Sequence, residues 1–176
     1  MTNLLSSIIV EIITSVLTVL GTLYVQKRKN ENSIRKSALY LYLNLRQTKE
    51  DIDKDKKVVD NAGENEIFPM NYFSPFDYIA VLTDLKDKMS EDEIMAVNNF
   101  YENVKKLDSD KSYLFNIRNL HNNCPSMNPA LPGPYEQQYR DSYRAYEHSL
   151  NIITNSSEYK TDIVEIISKL KRLKDK

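Results

Sequence analysis

The hydrophobic pattern of the chain begins with a nearly continuous apolar run from Leu4 to Val25, in which Glu11 is the only charged residue. At about 1.5 Å per residue, this run forms a helix roughly 33 Å long, enough to cross a hydrocarbon core of about 30 Å. No Lys or Arg precedes it and no small-x-small cleavage site follows it, so a secretory signal peptide fits poorly. The pattern predicts a single transmembrane helix, with a buried core helix as the alternative.

One face of this predicted helix carries small and hydroxyl residues at steps of three and four. The members of this stripe are Ser7, Glu11, Thr14, Thr18, Gly21 and Thr22. Such side chains let transmembrane helices approach closely and hydrogen-bond, and an intramembrane carboxyl normally faces a partner or a water-filled cavity. The stripe therefore predicts a helix that associates with other helices. Hydration of Glu11 through the outer interface and a pore built from several copies are the alternatives.

The charged flanks of the run predict its orientation. Residues 1–3 carry no cation, whereas a basic segment follows the run directly. Its cations are Lys27, Arg28, Lys29, Arg35 and Lys36. Because cytoplasmic flanks carry the excess of Lys and Arg, the N-terminus is expected outside and the rest of the chain in the cytoplasm. This divides the chain into a membrane anchor over 1–26, a basic juxtamembrane hinge over 27–36 and a cytoplasmic helical domain over 37–176.

Helical periodicity resumes after the basic segment and extends to about Lys57. Its apolar stripe is Ile34, Ala38, Leu41, Leu45 and Ile52. Local alternation over 38–43 leaves a strand possible, but the longer pattern favours a helix. Residues 50–60 are dense in both charge signs, which predicts a solvated, salt-bridged helix end. Residues 61–70 form the clearest loop.

Capping residues mark two further helix starts. Ser74 stands before a proline, and Ser90 with Glu93 forms the sequence of a capping box. The predicted helices that follow cover 75–88, 91–107, 111–121, 135–153 and 161–173. A Pro-rich connection over 122–134 is too stiff for a tight helical hairpin. Together these elements predict an all-α fold, with an N-terminal transmembrane helix followed by a cytoplasmic helical bundle of four to six helices.

Tyrosine is the most distinctive residue type of the predicted bundle, since the chain has twelve tyrosines and no tryptophan. Four of them share one face of a predicted helix: Tyr135, Tyr139, Tyr143 and Tyr146. A large rigid ring with a hydroxyl group suits a binding surface, so this face is a candidate partner surface. Packing of the rings against neighbouring helices in the core is the interpretation that we favour.

Composition argues against several classes of function. The formal net charge is -1, from 24 Lys and Arg against 25 Asp and Glu, which removes the simplest case for nucleic-acid binding. A single cysteine cannot form an internal disulfide. Two histidines and three glycines leave little material for metal sites or phosphate-binding loops. We therefore predict no enzymatic activity, no cofactor and no nucleic-acid partner.

Two small constellations are weak candidates for chemistry. His121 and Cys124 are three residues apart, but nothing in the sequence supplies the orienting group that a cysteine nucleophile needs. Asp51, Asp53 and Asp55 alternate as in a calcium loop, but the central glycine and the spaced glutamate are missing. A solvated histidine and a salt-bridged helix face are the favoured interpretations.

No motif identifies a family. The abundance of Asn, Lys, Ile and Tyr resembles proteins from AT-rich bacterial genomes, and the layout resembles small accessory or immunity proteins of bacterial and prophage systems. The sequence thus predicts a single-pass protein of the cell membrane that acts by tethering and assembly at the inner face, without catalysis. Membrane lipid, a second copy of the chain or another membrane or cytoplasmic protein are the expected partners. An oligomeric pore-forming effector with a cytoplasmic regulatory domain is the alternative function.

The two functions differ in what Glu11 does. If the chain only tethers, its expression at high level is harmless, and no dye or ion leakage follows in the wild type or in the Glu11→Leu variant, because no water-filled pathway forms. Leakage by the wild type that Glu11→Leu abolishes would instead support the pore-forming effector.

Overall fold

The computed structural model describes the backbone of residues 2–61, 72, 77–123, 133 and 135–175, and within these the side chains from Thr14 onward. This part of the chain is all-α, with five α-helices, one π-helical turn and no strand. The predicted all-α class is confirmed.

None of the helices in the described residues is both long and apolar enough to span a membrane. The side chains of residues 1–13, which include the first ten residues of the predicted span Leu4–Val25, lie outside the described part.

The helices are α1 (Thr2–Asn61), α2 (Tyr78–Leu85), α3 (Glu91–Asn123), α4 (Glu136–Asn155) and α5 (Ile163–Lys174), with the π-helical turn at Glu158–Asp162. α1 is a single helix of 60 residues, so the predicted hinge over 27–36 is helical throughout. Since the sequence has neither Gly nor Pro between Thr22 and Asn61, no residue in this stretch disfavours a continuous helix.

Only the second half of α1 takes part in the bundle. Its predicted apolar stripe is confirmed, since Ala38, Leu41, Leu45 and Ile52 have no exposed surface. Residues 14–33, in contrast, are all exposed. We call this first part of α1 the extension, because it projects beyond the helices that surround the second part.

α3 is the longest helix that lies wholly in the bundle, and it carries α4 and α5 end to end along its length. α4 runs antiparallel along the C-terminal half of α3, where Ser149 Oγ donates to Asp110 Oδ2 at 2.5 Å. α5 continues in the same direction along the N-terminal half, where Lys169 Nζ donates to both carboxylate oxygens of Glu93 at 2.6 and 2.8 Å. One long helix thereby aligns two shorter ones.

α5 is also antiparallel to α1. At its start, Tyr159 Oη donates to Asp53 Oδ1 at 2.7 Å. At its end, Lys174 Nζ lies 5.0 Å from the ring centroid of Tyr42. The last turn of α5 therefore lies beside the part of α1 from which the extension leaves the bundle.

α3 joins two helices that the sequence predicts separately, over 91–107 and 111–121. Asp108, Ser109 and Asp110 suggest a break, yet they are helical. Asp108 Oδ1 accepts a hydrogen bond from the backbone N–H of Tyr72 at 2.7 Å, and Asp110 accepts from α4. Because these carboxylates bond to other elements, they do not compete for the backbone of their own helix.

The capping box at the start of α3 is confirmed. Ser90 N donates to Glu93 Oε2 at 2.7 Å and Glu93 N donates to Ser90 Oγ at 3.2 Å. Burial alone would raise the pKa of Glu93, but hydrogen bonds from Lys169 and Ser90 outweigh it and lower that pKa below its ordinary value. The capping carboxylate therefore stays ionised, and its ion pair with Lys169 joins α3 to α5.

α2 begins later than predicted. Its N-cap is Asp77, whose Oδ1 accepts from the backbone N–H of Ala80 at 3.0 Å, whereas the predicted cap Ser74 lies outside the described residues. Within α2, Tyr78, Leu82 and Leu85 share one buried face, whereas Ile79 is 62% exposed.

A break separates the two helices that the sequence predicts over 135–153 and 161–173. Ser156 adopts an extended backbone conformation and ends α4, and its hydroxyl oxygen accepts a hydrogen bond from the backbone N–H of Tyr159 at 3.1 Å. The π-helical turn follows directly and leads into α5.

Two leucines of α1 provide a test of the packing. Leu45 has no exposed surface, whereas Leu43 is 51% exposed. We expect Leu45→Ala to lower the free energy of unfolding by about 2–5 kcal/mol through lost burial and a cavity, and Leu43→Ala to change it by about 0.5 kcal/mol or less. Urea unfolding of the full chain, followed by near-ultraviolet circular dichroism of the tyrosines, measures both. Equal losses would contradict the orientation of α1 in the bundle.

Candidate functional site

The extension of α1 exposes large apolar side chains up to residue 25. Each of them is at least half exposed: Val16, Leu17, Val19, Leu20, Leu23, Tyr24 and Val25. At about 100° per residue, the first six lie within roughly 160° of the helix circumference, and Val25 lies on the opposite side with Thr14, Thr18 and Gly21. A wide apolar face that no described part of the bundle covers is typical of contact with another apolar surface, either a protein or a membrane.

Hydroxyl groups in the extension bond to their own helix. Thr18 Oγ1 donates to the carbonyl oxygen of Thr14, and Thr22 Oγ1 donates to that of Thr18, both at 2.8 Å. Gly21 has open space around it. These four residues of the predicted association stripe share one face, as expected, while Ser7 and Glu11 lie outside the residues whose side chains are described.

Cations surround the end of the bundle from which the extension emerges. They come from three parts of the chain that are distant in sequence, and we call them the basic collar: Lys27, Arg28, Lys29, Arg35 and Lys36 of α1, Lys86 and Lys88 between α2 and α3, and Lys171, Arg172 and Lys174 of α5. The antiparallel packing of α5 on α1 brings the last group to the first. The predicted basic segment is thus one part of a larger basic surface.

A cleft of about 520 Å³ opens within the collar, and we call it the basal cleft. Its lining residues are Lys27, Asn30, Glu31, Ile34, Arg35, Lys88 and Leu173. Three of the lining residues are cations, and two, Ile34 and Leu173, are aliphatic.

A polar cluster in the core, the buried network, connects α1, α3, α4 and Tyr72. Asp55 Oδ2 accepts hydrogen bonds from Lys111 Nζ at 2.5 Å, from Tyr146 Oη at 2.9 Å and from Tyr72 Oη. The hydroxyl oxygens of Tyr72 and Tyr146 are 2.6 Å apart, and Lys111 Nζ lies 4.1 Å from the ring centroid of Tyr72. All four residues are buried.

The environment of this network is suited to structure rather than to chemistry. Burial is the main cause that raises the pKa of Tyr72, with the tyrosine and carboxylate neighbours adding to it, and burial also raises the pKa of Tyr146. Both phenols therefore keep their protons and remain available as donors to Asp55. No buried side-chain nitrogen or oxygen in the described residues lacks a hydrogen-bond partner.

Asp51, Asp53 and Asp55 point to three different partners. Asp51 pairs with Lys54 and Asp53 with Lys49 on the surface of α1, as the salt-bridged interpretation predicts. For Asp55 that interpretation is wrong, because this carboxylate faces the core. Asp55 stands among lysines in the sequence, which suggests an exposed position. Only its spacing of three from Ile52 indicates that it lies on the buried face of α1. Within the described residues no group of three metal-ligating side chains occurs.

His121 belongs to a second cleft, the distal cleft, at the opposite end of the bundle. The ring stacks on Tyr139 with centroids 5.4 Å apart, and Nε2 lies 2.7 Å from Glu136 Oε2. Arg140 donates twice to Glu136 Oε1, at 2.7 and 3.0 Å. Hydrogen bonds from Arg140 and His121 lower the pKa of Glu136, so the carboxylate is ionised and holds both neighbours. The prediction of a solvated loop histidine is therefore wrong.

The distal cleft has a volume of about 420 Å³. Tyr143, Arg144 and Glu147 complete its lining beside the residues around His121. No nucleophilic side chain contacts His121 among the described residues, and Cys124 lies outside them. The cleft is therefore a polar junction between the end of α3 and the start of α4.

The four tyrosines of the candidate partner surface do not form one exposed face. Tyr146 is fully buried in the network, so the partner-surface prediction is wrong for this residue. Tyr139 and Tyr143 are also buried, although both border the distal cleft, and Tyr135 is half-buried. Tyr139, Tyr143 and Tyr146 therefore pack in the core, as the favoured interpretation predicts.

Comparison with known proteins gives no relative for this chain: no family model, no curated protein and no solved structure matches it.

The buried network provides a test by double substitution. Lys111→Met leaves Asp55 buried without its cation, and Asp55→Leu leaves the ammonium unpaired, so each should cost about 3–5 kcal/mol of unfolding free energy. The double variant should cost much less than the sum, because neither charge remains and the two phenols still bond to each other. Urea unfolding of the full chain measures all three, and additive losses would show that the ion pair does not join α1 to α3.

Proposed function

We propose that the chain is a membrane-anchored helical scaffold without catalytic activity. In this proposal α1 crosses the cell membrane once, with the N-terminus outside, and the bundle stands on the cytoplasmic face, where it tethers a second copy or another protein. The observation that carries the proposal is the exposed, uncharged and mostly apolar surface of residues 14–25, on a helix that continues without a break into the bundle.

The size of this surface argues that something other than water covers it. Burying one Val or Leu side chain contributes about 1.5–3 kcal/mol, and seven large apolar side chains are exposed here. Their sum is on the order of 10 kcal/mol, which is comparable to the entire stability of a domain. Soluble proteins rarely expose a contiguous apolar patch of this extent.

Lipid fits this surface better than a second copy of the helix. A coiled coil needs one apolar seam and charged residues on its other faces, whereas no residue from 12 to 26 is charged. The hydroxyl groups of Thr18 and Thr22 are satisfied by their own helix, which suits a medium that offers no hydrogen-bond partners. Ten residues of the predicted span precede residue 14, all of them apolar or small except Glu11, and together the two parts have the length of a bilayer core.

The basic collar supports the proposed orientation. The first cations after the apolar run, Lys27 to Lys29, come where the extension approaches the bundle. An excess of Lys and Arg beside a span is typical of the cytoplasmic side. Because α1 is continuous, residues 34–61 would then rise from the membrane, and the end of the bundle with the distal cleft would stand on the order of 40 Å above the start. That end is the most accessible to a cytoplasmic partner.

The polar groups of the core support a role without catalysis. Asp55 and Lys111 neutralise each other away from solvent, and Glu136 is occupied by His121 and Arg140. These charges hold helices together, which suits a rigid scaffold.

A pair of variants with a matched control tests the anchor. Leu17 and Leu20 are 63% and 56% exposed on the extension, and Ile79 and Met95 are 62% and 55% exposed on the bundle. We expect the wild type to stay in membranes after alkaline carbonate extraction. Leu17→Asp with Leu20→Asp should release the chain, since each Asp costs about 3 kcal/mol in a bilayer. Ile79→Asp with Met95→Asp should leave it in the membrane.

Two results would overturn the proposal. One is release of the wild-type chain by carbonate, with a chain that is monodisperse without detergent. The other is equal release of the two double variants, which would place the exposed leucines of the extension in the same environment as the surface of the bundle.

A further inference from the structure

The basal cleft lies at the level where a membrane surface would be, if the proposed function holds. Lys27 follows the last residue of the apolar run, Val25, by two positions, and Arg35 follows it by ten. At about 1.5 Å per residue these are roughly 3 and 15 Å along the axis of α1. The polar headgroup layer is about 5–8 Å thick on each side of a bilayer. The cleft therefore begins within this layer and extends about 7–10 Å beyond it. Long side chains on a helix tilt toward its N-terminus, so the guanidinium of Arg35 lies closer to the layer than its Cα does.

The cations of the cleft have no carboxylate partner in the described part of the chain. Lys27, Arg35 and Lys88 have no carboxylate oxygen of a described residue within 4.0 Å. Outside the basic collar most cations do have one, as Lys49, Lys105 and Lys169 illustrate, each with a carboxylate oxygen at 2.6–2.7 Å.

The acidic residues near the cleft do not neutralise it. Glu31 is the only carboxylate among the lining residues, against three cations. Asp84 accepts hydrogen bonds from the hydroxyl groups of Ser33 and Ser37, at 3.3 and 2.7 Å. Asp175 lies 3.4 Å from Lys174. With three cations against one carboxylate in its described lining, the cleft is a basic site.

We infer that the basal cleft binds the phosphate headgroup of an anionic phospholipid in the cytoplasmic leaflet, an inference that rests on the proposed function. Arg35 offers a planar fork of donors that matches the oxygens of a phosphate, and Lys88 adds a second charge from another element. Because Arg35 and Lys88 belong to α1 and to the α2–α3 connection, a bound lipid fixes the end of the bundle on the membrane.

A soluble phosphate shares the chemistry of the headgroup, so the experiment separates the two sources. The full chain in neutral detergent micelles is titrated with phosphatidylglycerol, with phosphatidylcholine or with glycerol 3-phosphate, and thermal unfolding is followed by circular dichroism. We expect phosphatidylglycerol alone to raise the Tm, saturably and by about 5 °C, because a ligand that binds only the folded state stabilises it.

Charge-matched variants locate the effect. Arg35→Gln with Lys88→Gln removes two cations of the cleft. Lys57→Gln with Lys106→Gln removes two exposed cations elsewhere that likewise have no carboxylate of a described residue within 4.0 Å. Lys27 to Lys29 stay unchanged, so the orientation signal is intact. Each cation near an anionic surface contributes about five-fold, so the first pair should raise the half-saturating phosphatidylglycerol concentration by about 25-fold. The second pair should leave it unchanged.

Three results would overturn the inference: an equal response of the two variant pairs, equal stabilisation by phosphatidylcholine, or full stabilisation by glycerol 3-phosphate. Its failure is distinguishable from that of the anchor. If carbonate releases the wild-type chain but phosphatidylglycerol still acts through Arg35 and Lys88, the anchor is wrong and the headgroup site stands. If the chain stays in the membrane and the two pairs respond alike, the anchor stands and the site is wrong.

Discussion

The continuity of α1 is the constraint on which the rest of the structure depends. One helix of 60 residues passes from an extension that contacts little of the chain into the centre of the bundle. Because the helix is continuous, the extension cannot fold back onto the bundle. The side chains of residues 16–25 therefore stay exposed while Leu41 and Leu45 are buried. The same element therefore has two environments, and the change between them comes at the basic segment.

The other helices take their places from α1. The hydrogen bond from Tyr101 to Asn44 and the ion pair between Asp55 and Lys111 follow each other along both helices, which makes α3 parallel to α1. Contacts of Tyr159 and Lys174 make α5 antiparallel to α1. This direction of α5 is what brings the basic C-terminal turn back to the basic segment of α1. A collar of cations thus results from the topology, although no single stretch of the chain contains it.

Local signals predicted much of the fold, but contacts between distant residues decided the remainder. The stripe from Ala38 to Ile52 and the capping box at Ser90 follow from spacing and hydrogen-bonding chemistry, and both are present. The continuous α3 was not predictable from local sequence. Asp108 and Asp110 do not compete for the backbone of their own helix because Tyr72 and Ser149, which are distant in sequence, donate hydrogen bonds to them. Likewise, nothing local separates the buried Asp55 from Asp51 and Asp53; its partner Lys111 is 56 residues away. The basal cleft depends on the same kind of contact, since Lys88 and Leu173 join Arg35 only in the folded chain.

The distance across the basic segment tests the central claim most directly. Spin labels at Thr22→Cys and Leu43→Cys, in a Cys124→Ser background, lie on exposed positions of α1 on either side of residues 27–36. If α1 is one rigid helix, pulsed electron paramagnetic resonance on the full chain gives a single narrow distribution, centred near a Cα separation of about 32 Å. A broad distribution, or one centred at a much shorter distance, would show that the segment bends and that the extension does not hold the bundle in a fixed position.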